Sequence, residues 1–186
     1  DKCLFSLRYP MWHVHKFALK ESKMDDKSRA PLWYCSDGKI ENCRIFSVKA
    51  VRECKNINIR FSEIESPEFG WKSDGITLEK TKITAEYIFL DSKNIILKDV
   101  EMHGKYSFQY IEDSAFTNCN FDTKDAFWHA KNITVKDCTV KGEYLAWYCE
   151  NVTFENCTIE GTQPLCYCKN LKLINCKVIN CDLSFE

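Results

Sequence analysis

Lys131-Asn132-Ile133-Thr134-Val135-Lys136-Asp137-Cys138-Thr139-Val140 is followed nineteen residues later by Glu150-Asn151-Val152-Thr153-Phe154-Glu155-Asn156-Cys157-Thr158-Ile159. Lys169-Asn170-Leu171-Lys172-Leu173-Ile174-Asn175-Cys176-Lys177-Val178 comes nineteen after that. Upstream the phrase returns as Lys93-Asn94-Ile95 and Lys55-Asn56-Ile57, and Asp37, Gly75 and Asp113 hold the asparagine slot between them. The register 37, 56, 75, 94, 113, 132, 151, 170 runs without a slip. A fixed period this short means stacked coils, each burying its apolar side against its neighbours.

Within a coil, the residues one and three places after the asparagine slot are apolar: Ile57 and Ile59, Ile95 and Leu97, Ile133 and Val135. The residue between them is usually polar, which is the alternation of a strand. A second alternation follows, as in Cys138 and Val140 or Cys157 and Ile159. A third and less tidy stretch ends each coil, as in Trp128 and Ala130. The asparagine slot marks one corner, and Asn42, Asp99, Asn118, Asp137, Asn156 and Asn175 mark another. Gly104, Gly142 and Gly161 mark the third. These residue types accept left-handed backbone, and stacked asparagines can bond from coil to coil.

The expected fold is therefore all-β: a single-stranded right-handed parallel β-helix of about nine coils of 19 residues, with three short strands per coil. Leucine-rich repeats need a helical segment that is missing here, pentapeptide repeats need a period of five, and left-handed hexapeptide helices need coils of about 18 residues. The first coil is longer, 21 residues, and its two extra residues fall within Asp25-Asp26-Lys27-Ser28-Arg29-Ala30, a charged loop at a corner. One domain is expected over 1–186, lacking its native end caps, because Asp1 falls midway through a coil and Glu186 precedes the next asparagine slot. Open strand edges at the ends call for a cap or for a homodimer through a coil end.

Charge excludes some partners. Twenty-six basic residues against 27 acidic ones give a net charge of −1 without a basic stripe, so no nucleic acid is expected. No apolar run is long enough to span a membrane, and no signal-peptide pattern opens the chain. The twelve cysteines fall mostly into two columns of the repeat, Cys3, Cys43, Cys119, Cys138, Cys157, Cys176 and Cys35, Cys54, Cys149, Cys168. In the first of these they alternate with Ser22, Ser62, Thr81 and Val100, as small filler does. Reduced thiols and a cytoplasmic location follow. Neither metal nor cofactor is expected, since Cys149 and Cys168 belong to the filler column and leave Cys166 alone.

The candidate site is a flank. All five tryptophans, Trp12, Trp33, Trp71, Trp128 and Trp147, share one column, where Leu90, Cys166 and Phe185 point to a buried wall. The next column is mixed and reads as a solvent-facing stripe, with Asp91, Tyr110, His129 and Tyr148 in succession. Four residues earlier lies a companion column with Tyr106, Asp125 and Tyr144. Asp91, Tyr110, Asp125 and His129 are the catalytic candidates, because a carboxylate beside an imidazole can move protons and glycosidases need two carboxyls. Tyr106, Tyr144 and Tyr148 are the binding candidates.

Asp125-Ala126-Phe127-Trp128, Pro31-Leu32-Trp33-Tyr34-Cys35, Gly142-Glu143-Tyr144-Leu145-Ala146-Trp147 and Lys169-Asn170-Leu171-Lys172-Leu173-Ile174-Asn175-Cys176 carry a family resemblance. They resemble an uncharacterised bacterial domain-of-unknown-function family allied to the pectin-lyase-like β-helices. The resemblance covers essentially the whole chain and departs most between Met11 and Ala30. It implies a right-handed β-helix and brings no established activity or catalytic residue. Polysaccharide-cleaving relatives in that superfamily use long loops, acidic clusters and a catalytic Arg or Lys, whereas this chain has tight coils and arginines only at 8, 29, 44, 52 and 60. The expectation is a non-catalytic scaffold or binding module presenting a flank or an end to a protein or a glycan. The alternative is a carbohydrate-active enzyme, a polysaccharide lyase or glycoside hydrolase, using the flank.

Overall fold

The structure is a computed structural model and describes residues 1–185; Glu186, on which the reading of the final coil ends, lies outside the described residues. The backbone is a parallel β-solenoid of about nine turns, and no helix occurs among the described residues. One sheet of nine strands stacks the segments that begin at the asparagine slot, from His15–Lys20 through Lys131–Lys136 to Lys169–Ile174. A second sheet of 13 strands stacks ten on the following side, from Leu4–Phe5 to Lys177–Ile179, and three on the side after it. Ile57 pairs with Ile76 and Ile133 with Val152, so residues nineteen apart are direct neighbours. His15 pairs with Ser36 and Lys23 with Arg44, a step of 21, which places the longer coil where the charged loop stands.

The expected three strands per coil hold only in part. Ser36–Glu41, Arg44–Phe46 and Lys49–Ala50 make one three-stranded coil, and those beginning at Lys55 and Asp74 repeat it. Beyond Glu101–Ser107 the third side gives way to consecutive turns. The change follows a register shift between His103 and Tyr106 against the next strand. After it Asp125, Tyr144 and Gln163 adopt φ of 50°, 52° and 48°, which an extended third strand cannot contain.

Both asparagine corners are left-handed as expected, with φ near 55° at Asn56, Asn94, Asn132, Asp99 and Asp137. Their side chains form ladders: Asn132 Nδ2 donates to Asp113 Oδ1 at 2.8 Å, Asn151 to Asn132 at 3.0 Å and Asn170 to Asn151 at 2.8 Å. Gly142 and Gly161 are required by closeness, since a Cβ would stand 1.8 Å from Thr123 O and 1.7 Å from Gly142 O respectively. Gly104 differs from the expectation: its φ is not left-handed, and it belongs to the strand Glu101–Ser107.

The core is a continuous file of side chains from both sheets, with Phe69, Phe89, Phe108, Phe116, Phe121, Phe127 and Phe154 fully buried. Each such ring contributes about 1.5–3 kcal/mol by leaving water. All twelve cysteines are free thiols. The filler column also has a polar task that size alone does not reveal. Ser62 Oγ accepts the N–H of Cys43 at 3.1 Å and donates to Arg60 O at 2.8 Å. Cys138 Sγ takes the same place, accepting from the N–H of Cys119 at 3.3 Å and donating to Lys136 O at 3.0 Å. Serine and cysteine interchange here because either one satisfies a backbone N–H that the corner turns inward.

Candidate functional site

Three corners of the coil point their N–H groups at the coil ahead. Glu53 N donates to Trp71 O, Asn94 N to Glu112 O and Asp99 N to Thr117 O, each eighteen residues on. The first of these corners carries the mixed column. Asp91, Tyr110, His129, Tyr148 and Tyr167 all have φ between 54° and 58°. Their side chains are thereby held in a straight outward row, one per coil.

That row is an aromatic stack. Tyr110 and His129 lie 5.1 Å apart with ring planes 6° from parallel, His129 and Tyr148 5.1 Å at 8°, and Tyr148 and Tyr167 4.8 Å at 13°. Tyr110, Tyr148 and Tyr167 are 51%, 47% and 48% exposed. The spacing is the inter-strand distance, so the ring faces are turned toward one another along the solenoid axis. What solvent meets is ring edges and hydroxyls. Tyr106 stacks on Tyr87 at 4.8 Å in the companion column, which Asp125 then interrupts. Tyr144 packs edge-on against Trp147 at 5.3 Å.

The acidic candidates are not brought together. Asp91 belongs to the coil of the Tyr110 row two places before His129, while Asp125 stands on His129's own coil. Two inter-strand steps separate them by about 9.6 Å along the axis before any lateral distance is added. Retaining glycosidases hold their carboxyls about 5–5.5 Å apart and inverting ones about 6.5–9.5 Å. Asp125 makes no hydrogen bond or ion pair with His129 among the described residues. It is nonetheless unusual. Burial holds its carboxyl above the ordinary range; the Lys124 ammonium opposes the shift and Glu143 adds to it. None of five cavities on the surface, from about 110 to 740 Å³, is lined by Asp91, Tyr110, Asp125 or His129. No group of three metal-ligating side chains gathers among the described residues.

The tryptophans form neither a buried wall nor an exposed stripe. They lie half-buried across the third side, Trp12 being the most exposed at 38%. Trp33 Nε1 donates to Lys49 O at 2.8 Å, Trp128 to Tyr144 O at 2.9 Å and Trp147 to Gln163 O at 2.6 Å, so these three indoles clamp their coils to the next. Arg52 stands in this column too, its guanidinium 5.0 Å from the Trp33 ring and 5.5 Å from Trp71. Arg52 Nε, Glu68 Oε2, Trp71 Nε1 and Asp125 Oδ1 are buried without hydrogen-bond partners, and all four lie on this flank. An arginine substituting in a tryptophan column was the available signal for the Arg52 stack on Trp33 and Trp71, because a guanidinium stacks where an indole does.

The chain is similar to solved pentapeptide-repeat and quinolone-resistance proteins only distantly. One is HetL, a pentapeptide repeat protein involved in heterocyst differentiation regulation from the cyanobacterium Nostoc sp. strain PCC 7120, at 10% identity and a TM-score of 0.33, covering 91% of this chain and 87% of that one. Another is full-length QnrB1, a plasmid-mediated fluoroquinolone resistance protein, at 11% identity and a TM-score of 0.27, covering 88% and 94%. Scores this low carry no argument beyond the strands already described. No curated protein matches the chain. A family model does match, over residues 1–186, and the chain belongs to that family, described as "Protein of unknown function (DUF3737)".

Proposed function

We propose that this solenoid is a non-catalytic scaffold whose ridge of Tyr110, His129, Tyr148 and Tyr167 engages another protein. One observation carries the reading: four parallel rings, three of them tyrosines about half exposed, offer edges and hydroxyls in a rigid line. Sugars stack on free ring faces, and here the faces between successive rings are covered by one another. A glycan, the other ligand class that was expected, would meet edges along the row. Tyrosine edges with a hydroxyl suit a protein interface, where tyrosine is enriched. Free thiols support a cytoplasmic setting, which keeps them reduced.

The alternative, a carbohydrate-active enzyme of the pectin-lyase-like kind, has one observation on its side: the raised, half-buried carboxyl of Asp125. A single experiment separates the two. Proteins crosslinked to the wild-type chain in cells are compared with those crosslinked to Tyr110→Ser/Tyr148→Ser/Tyr167→Ser, and purified chain is incubated with an oligosaccharide panel. The scaffold reading expects a defined partner lost from the ridge variant and no reducing ends released. Identical partners on both chains, or sugar cleavage abolished by Asp125→Ala, would overturn it.

A further inference from the structure

Among the described residues the charged loop after Met24 is the one place where the coil lengthens from 19 to 21 residues, and it is not loose. Asp25 Oδ1 accepts the N–H of Lys27 at 3.1 Å, and Ser28 N donates to Asp25 O at 2.9 Å. Ser28, fully buried, donates its hydroxyl to Phe5 O at 3.1 Å. A hydrogen bond from Ser6, with the N–H and charge of Lys27, holds the Asp25 carboxyl below its ordinary range and keeps it ionised. The loop is therefore a preformed wall.

On one side of the wall lies a cavity of about 380 Å³ with an apolar floor of Phe46, Val48 and Pro67. Its rim carries Asp25, Asp26 and Glu65 against the single cation Lys23. On the other side lies a hollow of about 630 Å³, where Leu7 and Val48 are apolar and Arg8, Lys27 and Arg29 face the single acid Asp26. Asp26 and Val48 line both, so the two form one groove. Val48, 41% exposed, is the apolar residue common to both halves, and Leu7, 51% exposed, adds apolar surface to the basic half. On the nine-stranded sheet the column Lys20, Glu41, Arg60, Glu79, Lys98 alternates in sign, whereas here three acids face one base in the first hollow and three bases face one acid in the second.

We propose that this groove binds short zwitterionic peptides, with the ammonium end in the acidic cavity and the carboxylate among Arg8, Lys27 and Arg29. An anion or a cation alone would use half of it, and an uncharged ligand neither half. Each of the two hollows is within the usual range for small-ligand sites, about 300–1,000 Å³. Arg44, the remaining cation near the floor, is already committed: it pairs with Glu63 at 3.0 Å and lies 4.4 Å from the Phe46 ring.

The test titrates the whole chain with the tripeptide Ala-Leu-Ala, its N-acetyl form, its C-terminal amide and spermine, reading calorimetric heat and amide chemical shifts. Saturable binding of the free tripeptide is expected, with each terminal block weakening it by about tenfold or more, as loss of one charge-assisted contact does. Asp26→Asn, at an exposed position, is expected to weaken binding similarly, and Arg29→Gln serves as a second probe should the first alter folding. Tyr148→Ala on the distant ridge is expected to leave binding unchanged, so this result is independent of the ridge reading. No binding of the free tripeptide at millimolar concentration, equal affinity for the blocked forms, or spermine binding as tightly as the tripeptide would each overturn the proposal.

Discussion

At the residue scale, a left-handed corner is easy for asparagine and aspartate and strained for most other side chains. Phe61 and Lys80 occupy the Asn42–Asn175 corner column at φ of 50° and 48°, between residues that are otherwise Asn or Asp. Phe61→Asn with Lys80→Asn should relieve about 1 kcal/mol at each position and extend the amide ladder toward Asp99. Thermal denaturation should show a rise of roughly 2–4 °C per kcal/mol for a chain of this size. Asp125 works in the opposite sense. Its carboxyl is raised in the folded chain, so its contribution to stability is full below the ordinary carboxylate range and is lost as pH rises through the folded value. Asp125→Asn should therefore gain stability over the parent at pH 7 and lose that advantage towards pH 3, as urea titrations across that window would show. Asparagine and glycine made two corners legible in the sequence. They could not announce the left-handed column of Val51, Phe89, Phe108, Phe127 and Leu165, because those side chains carry no local signal for the conformation that burial and stacking impose on them.

At the scale of the element, alternation of apolar and polar residues fixed both sheets correctly, since each has one face in the core and one in water. The third side is a strand in the coils that begin at Ser36, Lys55 and Asp74 and turns after Ser107, where the indoles of Trp128 and Trp147 donate to main-chain carbonyls sixteen residues on, a relation that no local pattern displays. For the same reason the stack of Tyr110, His129 and Tyr148 was legible as a row but not as closed ring faces. On the nine-stranded sheet, Lys20, Glu41, Arg60, Glu79 and Lys98 stand in register and alternate in sign. Lys20 meets Glu41 at 3.4 Å and Arg60 meets Glu79 at 3.2 Å. Such exposed pairs are each worth at most about 1 kcal/mol, yet their order opposes a slip of one coil. Glu79→Lys would set three cations in line. It should cost about 1 kcal/mol in low-salt urea melts and distinctly less at high ionic strength, where exposed charges are screened. An equal loss in both conditions would show that the column plays no electrostatic part.

For the whole molecule, the decisive property is equivalence of coils. Excision of residues 131–149 joins Ala130 to Glu150 in phase, leaving both sheets one strand shorter and every ladder intact. The shortened chain should keep a β-type circular dichroism spectrum and melt at a lower temperature, as expected when stability is a sum over neighbouring repeats. A disordered product would mean that the coils are not interchangeable units.

The uniform step between partners also bears on how the chain reaches this state. Nearly every strand pairing joins residues nineteen positions apart, about a tenth of the 186-residue length, a span typical of helical bundles rather than of β-sandwiches. Closing one loop of that size brings the next strand to its place, so the search never widens as the structure grows. Assembly can begin at any well-packed layer, such as that of Phe108 and Phe127, and advance in both directions like a zip, making this an all-β chain with the kinetics of local structure.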